Sequence, residues 1–102
     1  MALFLARHEH PAERCPARDP QMAPLLLAHL SPVGTSGQGV TIRAEAVVNE
    51  AHTLFLIVDA DSREQLERFM TPFAQVGTVE VMPASSCEAV IGRGGCSVAA
   101  PA

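Results

Sequence analysis

His8 and His10 are separated by a single residue, and Cys15 follows His10 after four more. Residues two apart on an extended chain point to the same side, roughly 6.5 to 7 Å apart along the strand, so the two imidazoles can converge on one ion. A cysteine in a loop that folds back over the strand end would add a thiolate. The result, His8-x-His10-x4-Cys15, is a mixed nitrogen and sulfur set suited to zinc, nickel, copper or iron. His52 supplies a further imidazole if the topology carries it to the same place. The spacing matches no standard zinc-finger pattern, so a plainer reading stands beside this one. In it, His10 simply precedes Pro11 in a turn, His8 sits half-buried at a dimer interface, and His52 is an ordinary hairpin-edge histidine.

Cys15 also lies in sequence among Arg7, Arg14 and Arg18, cations that would stabilise a thiolate and sharpen it as a nucleophile. With a histidine as base, that describes a small enzyme acting on an organic substrate. Cys15-Pro16 further matches short Cys-Pro motifs that ligate haem, a minor alternative. Cys87 and Cys96 are nine residues apart around a glycine-rich stretch, which is not the gap of a thioredoxin-type pair or a zinc knuckle. Cys87 reads as buried packing and Cys96 as exposed. Gly92-Arg93-Gly94-Gly95 lacks the strand, helix and Lys-Ser/Thr ending of a phosphate loop, so no nucleotide site is expected. Glu45, Glu80 and Glu88 read as solvated carboxylates.

These residues need elements to hold them. Leu3 to His10 alternates as a strand with Phe4, Ala6, His8 and His10 on one face and Leu3, Leu5, Arg7 and Glu9 on the other. Pro11 to Asp19 reads as an irregular loop. A helix follows, starting at Asp19-Pro20 or a turn later at Ala23-Pro24, with Met22, Leu25, Leu26, Leu27 and Leu30 at helical spacing. Proline and glycines break the chain between Ser31 and Gly39. Val40 to Val48 and His52 to Asp59 then form a hairpin joined by Asn49-Glu50-Ala51. Asp61 with Glu64 resembles a capping box for a second helix that buries Leu66, Phe69, Met70 and Phe73 and is bent or ended by Pro72. Gly77 turns the chain into a last strand, Thr78 to Met82. One or two helical turns near Cys87 to Ile91 complete the pattern.

The order βαββαβ defines an α+β, ferredoxin-like fold, an antiparallel sheet with two helices on one face. In it the third strand runs against the first, so His52 approaches the end that carries His8 and His10. The uncovered face remains substantially apolar, which predicts a homodimer built as an α+β barrel. One ferredoxin-like domain is expected over 1–96 and a disordered tail over 97–102.

Composition excludes several partners. The chain has 102 residues, enough for one core. Its net charge of -4, four Phe and complete lack of Trp and Tyr offer nucleic acid neither attraction nor a stacking platform. Apolar runs fall far short of the roughly 20 residues that span a bilayer. Three cysteines cannot all pair, and no export signal is visible, so reduced thiols in the cytoplasm are expected.

His8-Glu-His10-Pro11 with Cys15-Pro16, then His52-Thr-Leu, Pro72-Phe73, Val79-Glu-Val, Cys87-Glu88 and Arg93-Gly-Gly-Cys96 resemble small uncharacterised bacterial proteins of the dimeric α+β barrel superfamily. That superfamily includes metal-binding members, some associated with nickel, and cofactor-free or haem-linked oxygenases. The resemblance implies a dimeric ferredoxin-like fold and makes His8, His10, Cys15 and His52 the residues to follow.

Overall fold

In a computed structural model describing residues 1–97, the chain forms nine regular elements besides two 3-10 turns. They are β1 (Ala2–Glu9), α1 (Met22–Leu30), α2 (Pro32–Thr35), β2 (Val40–Val48), β3 (Thr53–Ala60), α3 (Arg63–Phe69), α4 (Thr71–Ala74), β4 (Thr78–Pro83) and α5 (Cys87–Gly92). The strands make one four-stranded sheet in the order β2-β3-β1-β4, with every neighbouring pair antiparallel. With α1 and α2 as the first helical connection and α3 and α4 as the second, this is an α+β fold of βαββαβ order, consistent with the ferredoxin-like architecture. The expected disordered tail lies, beyond Ser97, outside the described residues.

Strand alternation decides which face the helices cover. Phe4, Ala6, Leu56, Val58, Ala60 and Val81 point to one side and are buried there against Leu66, Phe69, Met70 and Phe73. His8 belongs to the same face and is only 2% exposed. It is therefore part of the helix-covered layer and does not sit half-buried on the open face where a second copy would pack. Arg7, on the opposite face, pairs with Glu9 at 3.2 Å, so it does not join Cys15 as the sequence order suggested.

A bulge changes what β2 contributes. Ile42 pairs with Val58 and Ala44 with Ile57, which leaves Arg43 as the extra residue. Downstream of it Glu45 and Val47, paired with Leu56 and Leu54, turn toward the helices. Unbroken alternation would have put Ala44, Ala46 and Val48 there.

Several element ends differ from the sequence reading. His52 does not open the third strand. It closes the tight connection 49–52 with a φ of 48°, a left-handed conformation that histidine adopts more readily than most residues. The second helix is split at Met70, with Pro72 in the first turn of α4. Its cap is Ser62, whose hydroxyl accepts from the Gln65 amide at 3.2 Å, and not Asp61. α1 begins at Met22, preceded by Asp19, whose Oδ1 accepts from the Gln21 and Met22 amides at 2.8 and 3.3 Å. Pro32 does not merely break the chain: with Ser31 as cap it starts the short α2. Cys87 is exposed at the start of α5 and is not packing in the core.

Candidate functional site

The antiparallel pairing of β1 and β3 puts the end of one strand beside the start of the other, with Glu9 opposite Thr53. His10 and His52 are the next residues outward, and the His10 amide donates to the His52 carbonyl at 3.2 Å. Their side chains meet as well. His10 Nε2 and His52 Nδ1 lie 3.2 Å apart, with the rings edge to face at 5.1 Å. The left-handed turn at His52 is what aims its ring back across the strand ends.

Cys15 arrives from the loop read as irregular, which is in fact two tight turns, Ala12–Arg14 and Pro16–Arg18. The Arg14 amide donates to the Pro11 carbonyl at 3.0 Å and that of Arg18 to the Cys15 carbonyl at 3.1 Å. Pro16 is buried and anchors the loop beside the sheet. One donor atom from each of His10, Cys15 and His52 lies within 4.8 Å of the others, and all three residues are partly buried. Two nitrogens on one tetrahedral zinc ion are about 3.3 Å apart at the usual bond lengths, so the imidazole pair already stands at ligand spacing.

His8 stands outside this trio, its ring 5.5 Å from that of His10 and 5.1 Å from that of Phe73. Its Nδ1 lies 3.0 Å from the Thr78 carbonyl oxygen. A carbonyl can only accept, so Nδ1 carries the proton and, in the neutral ring, Nε2 carries a lone pair. That Nε2 and His10 Nδ1 are both buried with no hydrogen-bond partner among the described residues. Gly77 permits the approach of Thr78, because a Cβ there would collide with the Glu9 carbonyl.

Burial pushes the His8 pKa below the ordinary histidine value of 6.5, and the Thr78 carbonyl only partly opposes it. His10 is lowered too, by desolvation first and then by the proximity of His8 and His52. Both rings are thereby held in the neutral form that ligates metals.

Two spaces adjoin the cluster. An outer cleft of about 510 Å³ is bordered by His10, His52, Arg14 and the turn at Gln75 to Thr78. An inner, largely apolar cavity of about 340 Å³, open to solvent on the side of Glu45 and Val47, lies between α1 and the sheet, and His8 and His10 are both in its wall. His10 is the partition between the two. Arg14 and Arg18 share a surface groove with Cys15.

Of the residues singled out in the sequence, the fold brings His10, Cys15 and His52 together and sets His8 behind them. Cys87 and Cys96 are exposed and lie outside the cluster. One contributor carries no sequence signal, the Thr78 carbonyl, a main-chain atom; Glu45 is exposed, as a solvated carboxylate should be, and the bulge sets it at the rim of the inner cavity. His29 is structural, since it stacks on Phe69 at 4.2 Å and its Nε2 donates to the Phe69 carbonyl at 2.7 Å.

The fold and this cluster define a small α+β protein with a His/Cys group able to hold a metal. A family model, DUF3303, a domain of unknown function, matches residues 7–93, and the chain belongs to that family. The match includes His8, His10, Cys15, His52 and Cys87 and ends before Cys96. No curated protein matches the chain.

Proposed function

We propose that this protein binds one late transition-metal ion, zinc, nickel, copper or iron, through His10, Cys15 and His52. The observation that carries the reading is the convergence of two nitrogens at 3.2 Å and a thiol within 4.8 Å, drawn from three separated parts of the chain. Three protein donors would leave a coordination position for water or another ligand, and His10 and His52 both border the outer cleft. His8 supports His10 from behind. Purified without an affinity tag, the protein should bind zinc or nickel with one ion per chain, and His10→Ala with His52→Ala should weaken that binding at least a hundredfold. Wild-type affinity weaker than about millimolar, unchanged in the double variant, would contradict the reading.

The same proximity supports a second reading, in which Cys15 is a nucleophile and His10 or His52 accepts its proton. Alkylation of Cys15 in metal-free protein, followed against pH, separates the two. A thiol that reacts slowly and with an unshifted profile argues against nucleophilic catalysis.

The open face of the sheet carries Leu3, Leu5, Phe55, Ile57 and Met82 between the charges of Arg7, Glu9 and Glu80. We propose that a second copy covers this face, since packing two such sheets together would bury the apolar strip. Light scattering on dilute reduced protein should then give twice the monomer mass. Three free thiols suit a reducing compartment such as the cytoplasm, and among the described residues no helix is long and apolar enough to cross a membrane.

A further inference from the structure

The inner cavity is a different kind of place from the cluster outside it. Its wall is made largely of Leu26, Leu30, Leu54 and Phe73, from α1, β3 and α4, with the half-exposed Val47 of β2 at its rim. At about 340 Å³ it is at the small end of the range of organic-ligand pockets, roughly 300 to 1,000 Å³. His8, 2% exposed, belongs to this wall, and its Nε2 is buried with a lone pair that has no donor among the described residues. The tautomer is not free to change, because Nδ1–H is committed to the Thr78 carbonyl. His10 Nδ1, in the same wall, is likewise buried and unpartnered. A buried acceptor without a donor is costly, and native proteins rarely leave one unpaired without a use for it.

We propose that the cavity is a binding site for a small, uncharged, largely apolar organic molecule carrying one hydroxyl group, such as a phenol or a compact alcohol. The hydroxyl hydrogen would be donated to His8 Nε2, and the hydroxyl oxygen could accept from His10 Nδ1 whenever that atom carries its proton. The hydrocarbon body would fill the space against Phe73 and the leucines. Glu45, an exposed carboxylate at the rim, disfavours an anionic ligand by like-charge repulsion. This inference shares only His10 with the metal reading and does not need a bound ion: neither Cys15 nor His52 lines the cavity, and His8, which accepts the hydroxyl hydrogen, lies outside the trio.

The test uses full-length protein in excess chelator, so that a failed metal site cannot mask the result. p-Cresol, p-xylene and p-toluate have similar shapes and differ in one group: hydroxyl, methyl and carboxylate. Titrations followed by amide and histidine-ring ¹⁵N resonances should show p-cresol binding about tenfold tighter than p-xylene, the loss expected for one buried hydrogen bond. p-Toluate should bind most weakly, and the His8 Nε2 resonance should move with p-cresol alone. In His8→Leu the preference for p-cresol should shrink to within about twofold while p-xylene still binds. Ala23→Phe, on the less buried helix, should fill the cavity and abolish binding of both. Equal affinity for p-cresol and p-xylene, p-cresol binding without a response at His8, or unaltered binding in Ala23→Phe would each overturn the proposal. So would failure of all three compounds to bind, with only a long-lived water detected at His8. If His8→Leu does not fold, the ring resonance of the wild-type protein and Ala23→Phe decide the matter.

Discussion

Two cysteine neighbourhoods in this molecule have similar ingredients on paper and very different surroundings in space. Cys15 is partly buried, with His10 and His52 near its thiol, although His52 is far away in sequence. Cys87 and Cys96 are close in sequence and exposed, and lie outside the only metal-ligating group found among the described residues. Their segment is held by Arg93, which donates to Ser85 Oγ at 2.9 Å and to the carbonyls of Gly95 and Cys96 at 2.9 and 2.8 Å. The difference lies in the sheet. Pairing of β1 with β3 gathers donors that local sequence keeps apart, whereas a short helix and a glycine-rich turn hold their cysteines where water competes for every contact.

The largest effect expected from that contrast concerns metal affinity. Cys15→Ser should lower it by two orders of magnitude or more, since a hydroxyl is a poor substitute for thiolate. Cys87→Ser and Cys96→Ser should leave it unchanged. Competition titrations against a chromogenic chelator would show the separation, and equal losses at all three positions would erase it.

Packing offers the next largest difference. Leu56 is fully buried in the sheet behind the site, whereas Ile91 on α5 is 79% exposed. Leu56→Ala should cost about 2–5 kcal/mol in urea unfolding, and Ile91→Ala no more than about 0.5 kcal/mol. Comparable losses would mean that α5 is docked in solution in a way the structure does not contain.

Acid should discriminate more gently. The His8 and His10 pKa values are lowered by burial, so between the folded values and about 6.5 the unfolded chain binds more protons than the folded one. The stability these neutral rings contribute is complete above that pH and lost as the pH falls through it. The denaturation midpoint of metal-free protein should therefore drop between pH 7.5 and 5.5. In His8→Leu the drop should be smaller, and a midpoint that rises on acidification would contradict the assignment.

How much of this could be read beforehand follows from what each signal depends on. Strand alternation exposed β1 with His8 on the Phe4 and Ala6 face, because a period of two is local and strong. The antiparallel neighbour relation of β1 and β3 followed from element order, which brought His52 toward His10. Other features depended on tertiary detail. The bulge at Arg43 reverses the facing of Glu45 and Val47 without a glycine or proline to announce it. The left-handed turn at His52 looked like strand because Thr53 to Val58 continues with β-forming residues. The Thr78 carbonyl that sets the His8 tautomer is a main-chain atom, so no side-chain pattern could reveal it. The loop of Cys15 read as irregular because 3-10 turns lack the apolar periodicity that marks a longer helix.

Whether His10, Cys15 and His52 hold one ion together can be read from cobalt(II) titration of the metal-free protein, because its spectrum reports donor type and geometry at once. Titration should saturate at one ion per chain, with a thiolate-to-cobalt charge-transfer band and the intense visible absorption of a four-coordinate ion. The charge-transfer band should vanish in Cys15→Ser and persist when Cys87 and Cys96 are both replaced by serine. A weak six-coordinate spectrum without thiolate absorption, or a charge-transfer band that disappears with Cys87 and Cys96 instead, would contradict that three-residue site.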